Sequence, residues 1–366
     1  MTFLSIKKTL SYVISQFLSR RYEARSLAFT YLSQDPSHLS LAHISSGVEA
    51  SIDKKRGTQE VLYISAIAHL IYRELKVADN SAVSNLTLLD ISNRVVSLLE
   101  SDKKNAKTKL INSKKRHSSC ELDHKDVDYF ANFQLWEKFV IETSRPGWLG
   151  FYLPKSELIN WLDRLDAQLS DFIAHYVDTA QTDSVNQTPH QTPILLSASL
   201  SSPKPTKDSR VWQAQYTYGR CCSLLRQWNA QVDQPYRVTN DTAFFSQHVL
   251  TAWNSSPESE DSWVTQYPVV HHLIELIDLV ECDLFWIPYR YPSEQYFLLL
   301  KSVSQMCQSF ELFLSSYIAG YASLSAQSPP KEKQRFQAYF TLVSIVQKTL
   351  RILLSRCLGV HAPEIL

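Results

Sequence analysis

Between Val211 and Asn229 the chain sets rings, amides and guanidinium groups at helical spacing. Trp212, Tyr216, Cys222 and Leu225 recur three and four apart, and among them lie Gln215, Tyr218, Arg220 and Arg226. The periodicity predicts one helix. Aromatic faces stack on unpaired bases, while amides and guanidinium groups bond base edges and phosphates, so this set of residues suits single-stranded nucleic acid. An aromatic stripe on a helix also suits plain core packing, and spacing alone does not separate the two.

Other sets carry less chemistry. His271, His272, Glu275, Asp278 and Cys282 fall three and four apart, a spacing that can gather metal ligands on one helix face. They lack the H-E-x-x-H order, and acids on an exposed face read the same way, so no metal is expected. Asp278, Glu281 and Asp283 scatter around the helix, which gives paired-carboxylate catalysis no specific support. No G-x-S-x-G elbow marks a nucleophile. The six cysteines form no C-x-x-C pair and most sit in apolar helical contexts, as reduced buried thiols of a cytosolic chain do.

A chain of 366 residues with 44% apolar content has room for two domains with real cores. It has only 7 glycines, and none lies between Gly150 and Gly219, so a Rossmann or P-loop fingerprint has nowhere to sit. The net charge of +1 does not mark a nucleic-acid binder by itself. No apolar run reaches membrane-spanning length, so no membrane partner is expected. The first 25 residues carry Lys7, Lys8, Arg20, Arg21 and Arg25 with no acid before Glu23, as an organelle transit peptide can. The regular apolar face of Leu10, Val13, Ile14, Phe17 and Leu18 favours a folded first helix, and a cytoplasmic location.

Three stretches, in order, resemble the arginyl-tRNA synthetase family. Gln215-Tyr216-Thr217-Tyr218-Gly219-Arg220, followed by Ser223-Leu224-Leu225-Arg226, is similar to the first helix of its anticodon-binding (DALR-type) domain. Met306-Cys307-Gln308-Ser309-Phe310, with Phe313, is similar to a later helix carrying Leu-Ala-x-x-Phe-x-x-Phe. Leu358-Gly359-Val360-His361-Ala362-Pro363-Glu364 looks like the family's terminal Leu-Gly-Ile-x-Ala-Pro-Glu tail. Nearer the amino terminus, Pro146-Gly147-Trp148-Leu149-Gly150 resembles the Pro-Gly-Phe-Ile-Asn strand of the family's tRNA-binding domain. There the Asn lies near a base of the tRNA D-loop, a contact that Gly150 cannot make. The His-Ile-Gly-His and Lys-Met-Ser-Lys-Ser signatures are absent, and Lys301-Ser302-Val303-Ser304 falls inside a helical pattern.

The elements read as follows. A helix covers 2–32, and a short β-like alternation runs from Ala42 to Ile52. Helices follow at Val61–Lys76 and Leu88–Leu99. The stretch 102–124 holds Lys103, Lys104, Lys107, Lys109, Lys114, Lys115 and Arg116; it reads as a disordered basic insertion, or as a flexible arm for phosphates. Phe139–Glu142 and Trp148–Leu153 flank a Pro-Gly turn as a hairpin, and Lys155–Tyr176 is helical. Gln, Ser, Thr and Pro dominate 177–208, a linker too short for a dinucleotide-type fold. Helices then run over 241–253, 264–285, 294–323 and 331–358.

The fold expected is mainly α: a small α+β domain over 1–176, a polar linker over 177–208 and an all-α helical bundle over 209–366. By resemblance it is a non-catalytic, synthetase-like protein, without cofactor, that binds tRNA, arginine tRNA being the family's own. The candidate RNA-binding residues are Gln215, Tyr216, Tyr218, Arg220, Arg226, Arg145, Trp148, Phe151 and His361. Against this stands an acidic run, Glu258, Glu260, Asp261, Glu275, Asp278, Glu281 and Asp283, which would repel phosphates if it faced RNA. The rival expectation is a protein-interaction module that docks to a synthetase or another partner.

Overall fold

The computed structural model describes residues 5–23, 52–54, 61–77, 87–116, 135–174, 209–232, 268–284, 293–318 and 329–363. Its contacts divide the chain into two units, Met1–Glu157 and Leu158–Leu366.

In the first unit, helix α1 (Ile6–Glu23) buries Ile6, Leu10, Ile14 and Phe17 along one stripe. Strand β1 (Ile52–Lys54) leads to β2 (Val61–Ser65), which pairs antiparallel with β4 (Trp148–Leu153). With β3 (Val140–Arg145) the sheet has the order β1-β2-β4-β3, antiparallel throughout. Val61, Tyr63, Ile141, Leu149, Phe151 and Leu153 are buried on one face. The hairpin stands where Pro146-Gly147 was expected to turn: Gly147 has φ +85, the left-handed value a glycine adopts without strain, and its N–H donates to Ser92 Oγ at 2.8 Å.

Two sequence expectations change here. The segment expected as one helix from Val61 breaks at Ala66. Val61–Ser65 is a strand, and helix α2 (Ile67–Val77) starts where the Ser65 hydroxyl accepts the Ile67 N–H at 3.3 Å. The basic stretch is ordered over its first part: helix α3 (Leu88–Arg116) continues through Lys103–Arg116, and the rest of 102–124 lies outside the described residues. Thr87 and Asp90 cap α3 reciprocally, and these bonds to Thr87 hold the Asp90 carboxyl below its usual range. Ile91, Val95 and Leu99 are buried, and Lys103 Nζ donates to the Phe139 carbonyl at 2.6 Å. Lysine is a good helix former, and cations suit a helix carboxy terminus, so the run lengthens the helix.

Every described element of the second unit is helical. Helix α4 (Lys155–Phe172) buries Trp161, Leu162, Leu165 and Leu169. Helices α5 (Ser209–Gln231), α6 (Pro268–Leu284), α7 (Ser293–Phe313) and α8 (Pro330–Ile352) follow, α7 and α8 ending in wider π-type turns over Leu314–Ile318 and Leu353–Cys357. The division between units falls ahead of the expected boundary at 176. Asp166 on α4 is bonded to Lys348 of α8 at 2.8 Å, both side chains being buried. The linker 177–208 and the expected helix at 241–253 lie outside the described residues. Among the described residues no helix is long and apolar enough to cross a membrane.

Candidate nucleic-acid interface

Helix α5 is held on two sides. Gln213 accepts from Ser304 at 2.9 Å, and Arg220 pairs with Glu311, so contacts seven residues apart on α5 meet residues seven apart on α7. The two helices therefore run parallel. Trp228 stacks on Phe340 at 4.5 Å, and Gln347 reaches Tyr218 at 3.5 Å, so α8 runs antiparallel to α5. Between these neighbours α5 buries Ala214, Thr217, Tyr218, Gly219, Cys221 and Trp228. Trp212, Tyr216, Arg226 and Gln227 remain on its outer face.

The chain end borders that face. Gly359 takes φ +62 just past α8, and the Leu358 and Val360 N–H groups donate back to Leu353 and Leu354 carbonyls at 2.9 Å. A left-handed glycine closing a helix in this way turns the following residues back along it. Gln215 Nε2 then donates to the His361 carbonyl at 2.8 Å. Two candidates far apart in sequence thus meet, and His361 is exposed.

The remaining candidates separate. Tyr216 is 38% exposed and stacks on Trp212, with centroids 5.5 Å apart and planes at 19°. Arg226 is exposed, its Nε donating to the Cys222 carbonyl at 3.3 Å. Arg220 shares a side of the helix with Tyr216, but its guanidinium turns to Glu311. Tyr218 must be corrected: at 1% exposure its ring belongs to the core beside α8 and has no face for a base. Phe151 is corrected for the same reason, being fully buried against Trp136 on the inner face of the sheet.

In the first unit Arg145 is exposed, and Trp148 is half-buried, set edge-on to His69 at 5.6 Å. Trp148, Gly150 and Tyr152 alternate onto the outer face of the sheet. A Cβ on Gly150 would lie 3.1 Å from the Tyr152 ring, so that ring fills the space a side chain there would need. Sequence reasoning passed over Tyr152 and Trp212. Trp212 stood in the periodic pattern, but only tertiary packing shows which third of α5 faces outward.

The bland alternatives also take shape. Cys221 and Cys307 are buried free thiols; burial pushes Cys221 well up and Cys307 up to about 12, so neither is poised as a nucleophile. His272 Nδ1 lies 3.2 Å from Glu275, and among the described residues no three His, Cys, Asp or Glu side chains gather for a metal. Glu275 and Asp278 are half-buried on α6, which packs chiefly on α7. No protein-family model matches the chain, and neither does any curated protein or solved structure.

Proposed function

We propose that this protein is a non-catalytic binder of structured RNA, with tRNA as its ligand, and that the outer face of α5 and the adjoining chain end contact the anticodon stem and loop. One observation carries the reading. Tyr216 presents a ring on a helix whose 23 residues include Arg210, Arg220 and Arg226 and no acid, beside a tail held by Gln215. Unpaired bases are held by stacking, and phosphates by cations, so ring and charge together fit RNA better than an apolar protein surface. The acidic helix α6 packs on α7, which supports an RNA path along α5. In keeping with the absent ATP-binding signatures, the purified chain is expected to show no arginine-dependent ATP–pyrophosphate exchange.

The test is tRNA binding by the full chain at low salt. Tyr216→Ala should weaken it by about 1–3 kcal/mol, roughly five- to hundred-fold, with the melting midpoint nearly fixed. Arg226→Ala should lower the slope of log affinity against log salt by about one unit, as one phosphate contact is lost. Tyr218→Ala is the control: it should destabilise the bundle by about 3–5 kcal/mol, the cost of emptying a large aromatic site. A wild-type chain that binds no tRNA at low salt would set the RNA reading aside in favour of docking to a synthetase or another protein.

A further inference from the structure

The RNA reading leaves Trp212 without a role, although it is 64% exposed. It is one of the two most exposed large apolar side chains among the described residues. Its indole stacks nearly parallel on the Tyr216 ring one helical turn away, and most of the indole surface stays exposed. An isolated exposed apolar residue is ordinary, but a stacked exposed pair is a ready platform for a third flat group. The charge around it selects the occupant. Arg226 lies on the same exposed face, Arg220 is paired with Glu311, and the helix itself has no Asp or Glu, so the charge beside the rings is cationic and suits an anionic chain. Arg226 stands ten residues beyond Tyr216, about 15 Å farther along the axis, where it can meet the backbone of a strand whose base lies on the rings.

We propose that Trp212, seated on Tyr216, is the platform for one unpaired purine of a single-stranded segment. This rests on the RNA reading and narrows it. A duplex offers phosphates to the arginines but keeps its base faces covered, so it can use only part of the surface. A purine offers a bicyclic indole more overlap than a pyrimidine does.

The experiment uses fluorescence anisotropy of the full chain at low salt with three probes: a ten-nucleotide oligoadenylate, a ten-nucleotide oligouridylate and a blunt ten-base-pair RNA duplex. Oligoadenylate should bind about five- to hundred-fold more tightly than the duplex, with oligouridylate between them. Trp212→Ala should erase that order without moving the melting midpoint, and Trp212→Phe, which keeps a ring, should retain most of it. Equal binding of all three probes, or an order unchanged in Trp212→Ala, overturns the proposal. So does an order lost only together with the melting midpoint, which would mark Trp212 as packing. If tRNA binds and neither single strand does, the platform falls while the RNA reading stands. If tRNA does not bind either, both fall.

Discussion

Gly147 shows how far a single residue can be fixed by its surroundings. Its φ of +85 favours glycine, and a Cβ there would lie 2.2 Å from His69 Nε2, which must move. Gly147→Ala is therefore expected to lose at least about 1–2 kcal/mol from backbone conformation alone, measured by urea unfolding. Adding His69→Ala should return the part due to the collision and leave the backbone part. An unchanged unfolding midpoint in Gly147→Ala would mean that the turn relaxes freely. The turn itself was legible, because Pro followed by Gly between two β-rich runs has few other uses. Its partners were not: Ser92 and His69 lie on two helices, and nothing local in the sequence ties them to the hairpin. The same limit applies on α5. The chain shows rings at 212, 216 and 218, but burial against α8 makes 218 core and leaves the other two outside.

Among the elements, α8 carries the pairing with the largest consequence. Lys348 and Asp166 are bonded at 2.8 Å with side chains 4% and 11% exposed. Burial raises the Asp166 carboxyl above its ordinary 3.8, with the attraction of Lys348 opposing in part. The folded form thus holds that proton more tightly than the unfolded chain does. Its contribution to stability is full below about pH 3.8 and declines as pH rises through the raised folded value. Asp166→Asn should remove this decline, so the stability difference between wild type and variant should drift across that window and level off above it. Lys348→Met should cost about 3–5 kcal/mol near neutrality, because a buried carboxylate loses its partner, and adding Asp166→Leu should recover most of it. Equal stability of wild type and Lys348→Met would show that water reaches the pair. The long apolar helices α7 and α8 were readable from periodicity, but this pair was not, since its members lie far apart in sequence. The strand β2 was missed for a different reason. Val-Leu-Tyr-Ile runs into Ala-Ile-Ala-His-Leu-Ile with no Gly or Pro between, and only Ser65 marks the change of period. The lysine run misled because charge argues against a core, whereas a helix anchored by Ile91, Val95, Leu99 and Lys103 can carry a polar continuation.

At the scale of the whole molecule, two sources place the division differently. Composition sets it in 177–208, and contacts set it between Glu157 and Leu158. Both are testable at once. Limited proteolysis should cut first within 181–207, because exposed polar segments are preferred sites. A first cut inside α7 or α8 would show that the polar stretch is not the accessible one. A fragment beginning at residue 155 keeps Asp166 for Lys348, whereas one beginning at 209 leaves that ammonium buried without its carboxylate. The longer fragment should therefore unfold at higher urea, and an equal midpoint would mean that α4 is dispensable to the bundle.

The bond from Gln215 to the His361 carbonyl has a practical corollary for labelling. His361 itself is exposed, so a dye attached at that position stands beside this bond. Such a dye is tethered to the rim of the α5 face, and its rotation should slow when a large ligand settles there. An affinity tag in the same place would crowd the surface under study. Keeping any tag away from residue 361 and reserving that position for the dye makes this segment a reporter of occupancy, and Gln215→Ala, which removes the bond to the His361 carbonyl, supplies its blank.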